Sequence, residues 1–350
     1  MRPNILTVSG TPYERGLAHG RAKKEEIASY INHFYTLVEK NRTPGEALQH
    51  VRKYIPYVED YSPTLQEEIK GIAEGAECKY EEIIMLHLHE EIGDFSPHCT
   101  SFAVTANGSK DNQVYTGQTW DIPVDLCRDA HPFIMRSIIE EQEAILSFNY
   151  AGVVAGAGLN SHGISLNWNT LPRLKLQVGV PTYIIISEVL RQKTIGRALE
   201  AVFRARRAGC FKFMISDRDE IYSIEATPDD VDIFYSHRFL AHANHYEGRH
   251  KDRQDLGWVG SRRAASTIIR HNRMNRFMEE NWGAIDREKC IDFFRDHVNY
   301  PFSICRHPVR EANHITCAAW VVLPGQGEMW YAPGPPCDHE FTRVGILDQS

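Results

Sequence analysis

The hydrophobic period of this 350-residue chain changes abruptly near Cys99, and that switch limits the fold more than any other feature. Before it, apolar residues recur at helical spacing. Thr11-Pro12-Tyr13-Glu14 is a capping box with proline at the first helical position, and it opens a helix expected to run past Val38. Further helices are predicted around Pro44 to Tyr54, Thr64 to Ala76 and Tyr80 to Glu91. Gly93, Ser96 and Pro97 then break the pattern, and β-branched alternation begins. Strands are expected from Thr100 to Ala106 and Gln113 to Trp120, with a turn at Asn107-Gly108, and then at Phe133 to Ile139, Ala144 to Tyr150, Val153 to Ala157 and Ile164 to Trp168.

Beyond this block, helices are predicted at Pro181 to Arg191 and Ile195 to Arg207, and strands at Phe211 to Ile215, Ile221 to Ala226 and Val231 to Tyr235. Two more helices (Ser261 to Glu280, Asp286 to His297) and two more strands (Thr316 to Leu323, Glu328 to Ala332) follow. Runs of strands between pairs of helices point to an α+β protein with largely antiparallel sheets covered by helices. With no internal repeat or long linker, residues 1–350 read as a single domain.

The net charge of −7 is spread along the chain, which argues against a nucleic-acid partner and for a small molecule. No apolar run approaches a membrane span, and neither end carries a targeting signal, so no membrane partner and a cytoplasmic location are expected. Eight cysteines without a C-x-x-C pair support neither a disulfide framework nor a structural zinc site, and most read as small buried residues. His87-Leu88-His89-Glu90 suggests a metal hydrolase, but residues two apart on a helix diverge and no His-Glu-x-x-His is present. No metal and no cofactor are expected.

Cys99 lies at the boundary, after a turn and at the start of a strand, where a side chain is both held and reachable. Position alone favours packing over chemistry. Several segments together resemble the penicillin acyltransferase family: Gly10-Thr11-Pro12-Tyr13-Glu14 with His19-Gly20, Glu68 to Ala76, Cys99-Thr100, Gly117-Gln118-Thr119-Trp120-Asp121, His242-Ala243-Asn244-His245, and Asn299-Tyr300-Pro301-Phe302-Ser303-Ile304-Cys305-Arg306. The resemblance runs nearly end to end, and the last block is its most specific part.

That resemblance implies a four-layer αββα N-terminal-nucleophile hydrolase that cuts its own backbone between His98 and Cys99. The cut would leave an α fragment of residues 1–98 and a β fragment of residues 99–350 that stay together. It also implies Cys99 as nucleophile and Asn244 as oxyanion donor, where the plain alternative is a turn asparagine. Asp121 and Arg306 would orient the new α-amine or the substrate, or form a structural ion pair. Gln118, Trp120 and His245 are candidate substrate contacts; Gln118 and Trp120 share one strand face, and Trp120 suits core or pocket wall better than catalysis.

The family archetype carries glycine before the nucleophile, whereas this chain has His98 after Pro97. Glycine tolerates strained dihedrals that histidine resists, although an imidazole there offers its own proton transfer. The activity implied is hydrolysis of a small N-acyl or β-alanyl-type amide through a thioester. Transfer from an acyl-CoA donor is the alternative, and an uncut, non-catalytic binding protein of the same fold is the reading from another class.

Overall fold

In a computed structural model, residues 5–38, 43–92, 98–253, 262–310 and 312–348 are described. Gly93, Ser96 and Pro97, which announced the break in pattern, lie outside them.

The first capping box forms as expected: Thr11 Oγ1 accepts from the Glu14 N–H, and the Glu14 carboxylate accepts from the Thr11 N–H at 2.8 Å. The long helix expected from there is two, α1 (Pro12–Ala22) and α2 (Lys24–Val38), because Lys23 leaves helical geometry at φ −122°. A second capping box, Thr43 with Glu46, starts α3 (Pro44–Val51), and α4 (Ile55–Tyr61) follows. Next comes α5 (Pro63–Ala76), and the expected helix from Tyr80 to Glu91 breaks at Leu88 into α6 (Tyr80–His87) and α7 (His89–Ile92).

Glycines let α1 and α5 touch backbone to backbone. A Cβ on Gly16 would sit 1.9 Å from the Glu68 carbonyl oxygen, and one on Gly71 would sit 2.2 Å from that of Tyr13. Arg15 pairs with Glu68 at 2.9 Å inside this contact, both buried, and Arg191 reaches the same carboxylate.

Two sheets stack in the middle of the molecule. The first has the order β1-β4-β5-β6-β7-β8-β9-β10. Its strands are β1 (Ile5–Ser9), β4 (Phe133–Glu140), β5 (Glu143–Asn149), β6 (Ala157–Asn160), β7 (Ser165–Thr170), β8 (Phe211–Ser216), β9 (Ile221–Ala226) and β10 (Val231–Tyr235). The second runs β11-β2-β3-β12-β13-β14. It comprises β11 (Phe239–His242), β2 (Thr100–Val104), β3 (Tyr115–Pro123), β12 (His314–Leu323), β13 (Glu328–Ala332) and β14 (Thr342–Gly345). All described pairings between strands are antiparallel except β1 with β4.

Strand alternation divides the second sheet's side chains between two environments. Gln118 and Trp120 face the first sheet, where Trp120, Phe148, Tyr150, Trp168 and Trp320 form an aromatic core. The Gln118 amide donates to the Trp168 carbonyl at 2.6 Å and accepts from its N–H at 2.9 Å, tying the sheets together. On the opposite face, residues of β2, β3 and β12 pack under two helices, Arg262–Glu280 and Arg287–Phe294. The N-terminal helices, with α9 (Thr182–Val189) and α10 (Ile195–Arg204), cover the first sheet. The expected αββα layering is therefore the one observed. After the short helix α8 (Val124–Asp129), the two covering helices are α11 (Arg262–Glu280) and α12 (Arg287–Phe294).

Strands β1, β11 and β14 were not foreseen, and β6 meets the expected Val153 to Ala157 only at Ala157. One expected strand, Val153 to Ala157, is a loop as far as Gly156, because the Asn149 side chain takes its backbone. Asn149 Oδ1 accepts from the Gly156 N–H at 2.6 Å, and Nδ2 donates to the carbonyls of Val153 and Val154.

Candidate active site

Cys99 sits just ahead of β2 and is only 1% exposed. The His98 N–H donates to the Asp121 carbonyl at 3.0 Å, so the β2–β3 pairing continues past the Thr100–Thr119 pair to the expected cleavage position. Cys99 therefore lies beside Trp120 on the face between the sheets, at the edge of the aromatic core. The imidazole of His98 is buried and meets the His314 ring edge-on at 5.0 Å. Among the described residues, the non-glycine positive φ angles belong to Glu77, Asn112, His131 and Asn299, so His98 and Cys99 carry no left-handed strain.

The Cys99 backbone carbonyl is gripped from two sides. Arg270 Nη1 donates to it at 2.7 Å and Asn169 Nδ2 at 3.1 Å. Arg270, on α11 and fully buried, also donates from Nη1 to Thr100 Oγ1 at 2.8 Å and from Nη2 to Asn244 Oδ1 at 2.9 Å. One guanidinium thus links the expected nucleophile to the expected oxyanion donor. The Asn244 amide donates to the Thr170 carbonyl at 3.1 Å and, weakly, to the Thr170 hydroxyl at 3.4 Å.

Asp121 occupies the other face of β3. Thr316 Oγ1 donates to its Oδ1 at 2.7 Å, and Arg306 Nε lies 3.4 Å from Oδ2. Arg306 Nη2 donates to Ser266 Oγ at 2.7 Å, and Arg270 Nε donates to the same oxygen at 3.1 Å. The expected Asp121–Arg306 pair is thus present, fully buried, with Arg270 as a second cation beside it.

Burial dominates the electrostatics. It pushes the Cys99 thiol well above its ordinary range, helped by the Asp121 charge, while hydrogen bonds from the Asp121 backbone and Gln118 pull the other way. Burial raises Asp121 to about 7 against the pull of Arg306 and Arg270. It lowers Arg270 to about 9, with repulsion from Arg306 second. Glu90, whose charge also bears on Cys99, is held up at about 8 by burial and by Glu91.

The remaining candidates fall elsewhere. Trp120 hydrogen-bonds the Tyr150 hydroxyl within the aromatic core, so it walls the site from the core side. Gln118 spends its amide on Trp168. His245 contacts Thr267, His242 and His271, a neighbouring histidine cluster. Burial, and then His242, depress it to about 2, so it is neutral. His87 ends α6 and His89 begins α7, and they bond different partners: His87 bonds the Ile83 carbonyl and the Val154 N–H, and His89 bonds the Tyr30 hydroxyl. Arg270, Asn169 and Thr316, which bond Cys99, Thr100 or Asp121, were missed by sequence reasoning, and Glu90 was noted there only as part of a metal motif. Arg270 gave no signal, lying in a helix already rich in arginine.

The profile of the acyl-coenzyme A:6-aminopenicillanic acid acyl-transferase family matches residues 107–336. The 40 kDa form of acyl-coenzyme A:6-aminopenicillanic-acid-acyltransferase from Emericella nidulans is 27% identical over 317 residues, 86% of this chain and 84% of the relative. The beta-alanyl-dopamine/carcinine hydrolase of Drosophila melanogaster is 24% identical over 259 residues, 64% of this chain and 65% of the relative. Among solved structures, penicillin V acylase from Agrobacterium tumefaciens aligns with a TM-score of 0.42 and 12% identity, covering 67% of this chain and 83% of the other.

Proposed function

Because the chain belongs to the acyl-coenzyme A:6-aminopenicillanic acid acyl-transferase family, we propose that it cuts itself between His98 and Cys99 and then uses Cys99 to break a small N-acyl amide. The observation that carries this reading is the Arg270 guanidinium, which holds both the Cys99 carbonyl and Asn244 Oδ1 inside a closed site.

In the precursor, the Cys99 sulfur attacks the His98 carbonyl carbon through a five-membered ring, and the Cys99 nitrogen leaves as an amine. Water then hydrolyses the resulting thioester, giving residue 98 a carboxylate and freeing the thiol. The thiol's raised proton affinity demands a base for the first step.

After the cut, the α-amine at Cys99, with a reference pKa of about 7.7–8.0, takes the thiol proton as the sulfur attacks the substrate carbonyl. Asn244 Nδ2 donates to the tetrahedral oxyanion; collapse expels the amine and leaves a thioester that water clears. Asp121, with Arg306 and Thr316 holding it, positions the new ammonium. No cofactor enters this sequence.

A small N-acyl or β-alanyl-type amide is the proposed substrate, by analogy with the insect hydrolase. Acyl transfer from an acyl-CoA thioester is a second reading, favoured by the longer and closer match to the fungal acyltransferase. Mass spectrometry of active protein tests the shared step. Fragments of residues 1–98 and 99–350, absent from Cys99→Ala, are expected; active protein with residues 98 and 99 still joined overturns the mechanism.

A further inference from the structure

The segment that carries Arg306 brings together four side chains that the proposed reaction does not use. His297 lies after α12, Cys305 and His307 flank Arg306, and Cys337 lies in the turn after β13. Each offers one ligand atom, and the four atoms lie within 4.8 Å of one another. We infer that His297, Cys305, His307 and Cys337 form a structural Cys2His2 site for a divalent metal of the zinc type.

The argument is geometric. A tetrahedral zinc ion has ligands at roughly 2.3 Å for sulfur and roughly 2.0–2.1 Å for nitrogen, which sets the ligand atoms about 3.8 Å apart for two sulfurs, about 3.6 Å for sulfur and nitrogen, and about 3.4 Å for two nitrogens. The Sγ atoms of Cys305 and Cys337 are 3.6 Å apart. His307 Nε2 is 3.7 Å from Cys305 Sγ and 3.1 Å from Cys337 Sγ. The Nε2 atoms of His297 and His307 are 3.2 Å apart. Four of the six edges of the tetrahedron therefore come within about half an ångström of what a central ion imposes. A disulfide would bring the two sulfurs to about 2.05 Å and leave both imidazoles without a role.

The surroundings fit a metal site. The Asp338 carboxylate lies 3.6 Å from Nδ1 of His307, the ring nitrogen facing away from the cluster, where histidine ligands commonly meet a carboxylate. Two thiolates neutralise a divalent ion. Other bonds already hold the contributing loops: the Cys305 N–H donates to the Asp296 carbonyl at 3.0 Å, Arg295 Nε donates to the Pro336 carbonyl at 3.0 Å, and Arg273 grips Asp296 through two bonds. With four protein ligands the site is closed, so it ties loops together and leaves no position for a substrate.

The site has a consequence for Arg306. Its backbone pairs with Thr316, the N–H donating to Thr316 Oγ1 and the carbonyl accepting from the Thr316 N–H. With Cys305 and His307 fixed on one side, the Arg306 side chain is held on the other, toward Asp121 and Ser266.

The test uses the full chain, purified under reducing conditions without chelator, with elemental analysis and titration of the stripped protein with Co2+ alone. One bound metal per chain and a Co2+ spectrum with thiolate charge-transfer and tetrahedral visible bands are expected. His297→Ala and Cys337→Ser, both at exposed positions, should lose the metal and the bands, while Cys78→Ser keeps them. The inference is overturned if wild type neither carries metal nor gives thiolate–cobalt bands, if these variants bind as wild type does, or if peptide mapping of the reduced preparation finds Cys305 disulfide-bonded to Cys337. Whether Cys99 cuts the backbone does not enter any of these readouts.

Discussion

Arg270→Lys keeps a positive charge beside Asp121 but replaces a planar fork with a single nitrogen. In the wild type, Nη1 serves the Cys99 carbonyl and Thr100 Oγ1, Nη2 serves Asn244 Oδ1, and Nε serves Ser266 Oγ. A lysine Nζ can replace Nη1 at its two acceptors but cannot span to Asn244 as well. Ser266 is not stranded, since its oxygen still accepts from Arg306 and donates to the Phe302 carbonyl. The loss is thus one buried acceptor, Asn244 Oδ1, worth about 1–3 kcal/mol of stability. Removing an oxyanion donor outright costs about 10²–10³ in kcat, so untethering one should cost about 10–100-fold.

The assay is turnover of a chromogenic N-acyl amide accepted by the wild type, with thermal melting alongside, for Arg270→Lys, Asn244→Ala and the double variant. If Arg270 acts by holding Asn244, the double variant is no slower than Asn244→Ala alone. Turnover of Arg270→Lys within twofold of wild type despite a lowered melting point would refute that role, as would full additivity of the two losses.

Other outcomes follow from burial. Glu90 has a folded pKa raised to about 8, so it binds its proton more tightly in the native state. The stability it contributes is complete below the unfolded value of about 4.3 and drains away as pH rises toward 8, by about 1.4 kcal/mol per pH unit; Glu90→Gln should remove that slope in pH-dependent denaturant melts. Asp121→Asn leaves two guanidiniums, Arg306 and Arg270, buried without their carboxylate, which should destabilise the fold by about 3–5 kcal/mol and slow self-cleavage on denaturing gels. Gly71→Ala places a methyl 2.2 Å from the Tyr13 carbonyl oxygen on α1; because the obstacle is backbone, a loss of about 1–3 kcal/mol in chemical denaturation is expected.

What was legible in the sequence was local. The Thr11 capping box, the change of period at Cys99 and the alternation that puts Gln118 and Trp120 on one face of their strand all depend on neighbours a few residues away. What was not legible depended on distant partners. β1 is a five-residue strand whose reason to exist is β4, more than a hundred residues on. The Val153 to Ala157 segment carries strand-like residues but loses its backbone partners to a single asparagine. Arg270 reads as one more basic residue in RRAASTIIRHNRMNRF, a composition that suggests a solvated face, until packing reveals it as fully buried. The Cys2His2 cluster draws on residues 297, 305, 307 and 337, a spacing that no short motif encodes.

The parallel pairing of Ile5–Ser9 with Phe133–Glu140 bears on the order of events in the proposed self-cleavage. A segment from the start of the chain completes a sheet built from residues beyond the proposed cut, so, if the chain is cut there, assembly of the whole comes first and scission second. Once severed, the two pieces would have to find each other as separate molecules to refold. Denaturation that is reversible and indifferent to dilution in the uncut Cys99→Ala protein should therefore become dilution-sensitive in the mature one, and its longevity would then be governed by how slowly it comes apart.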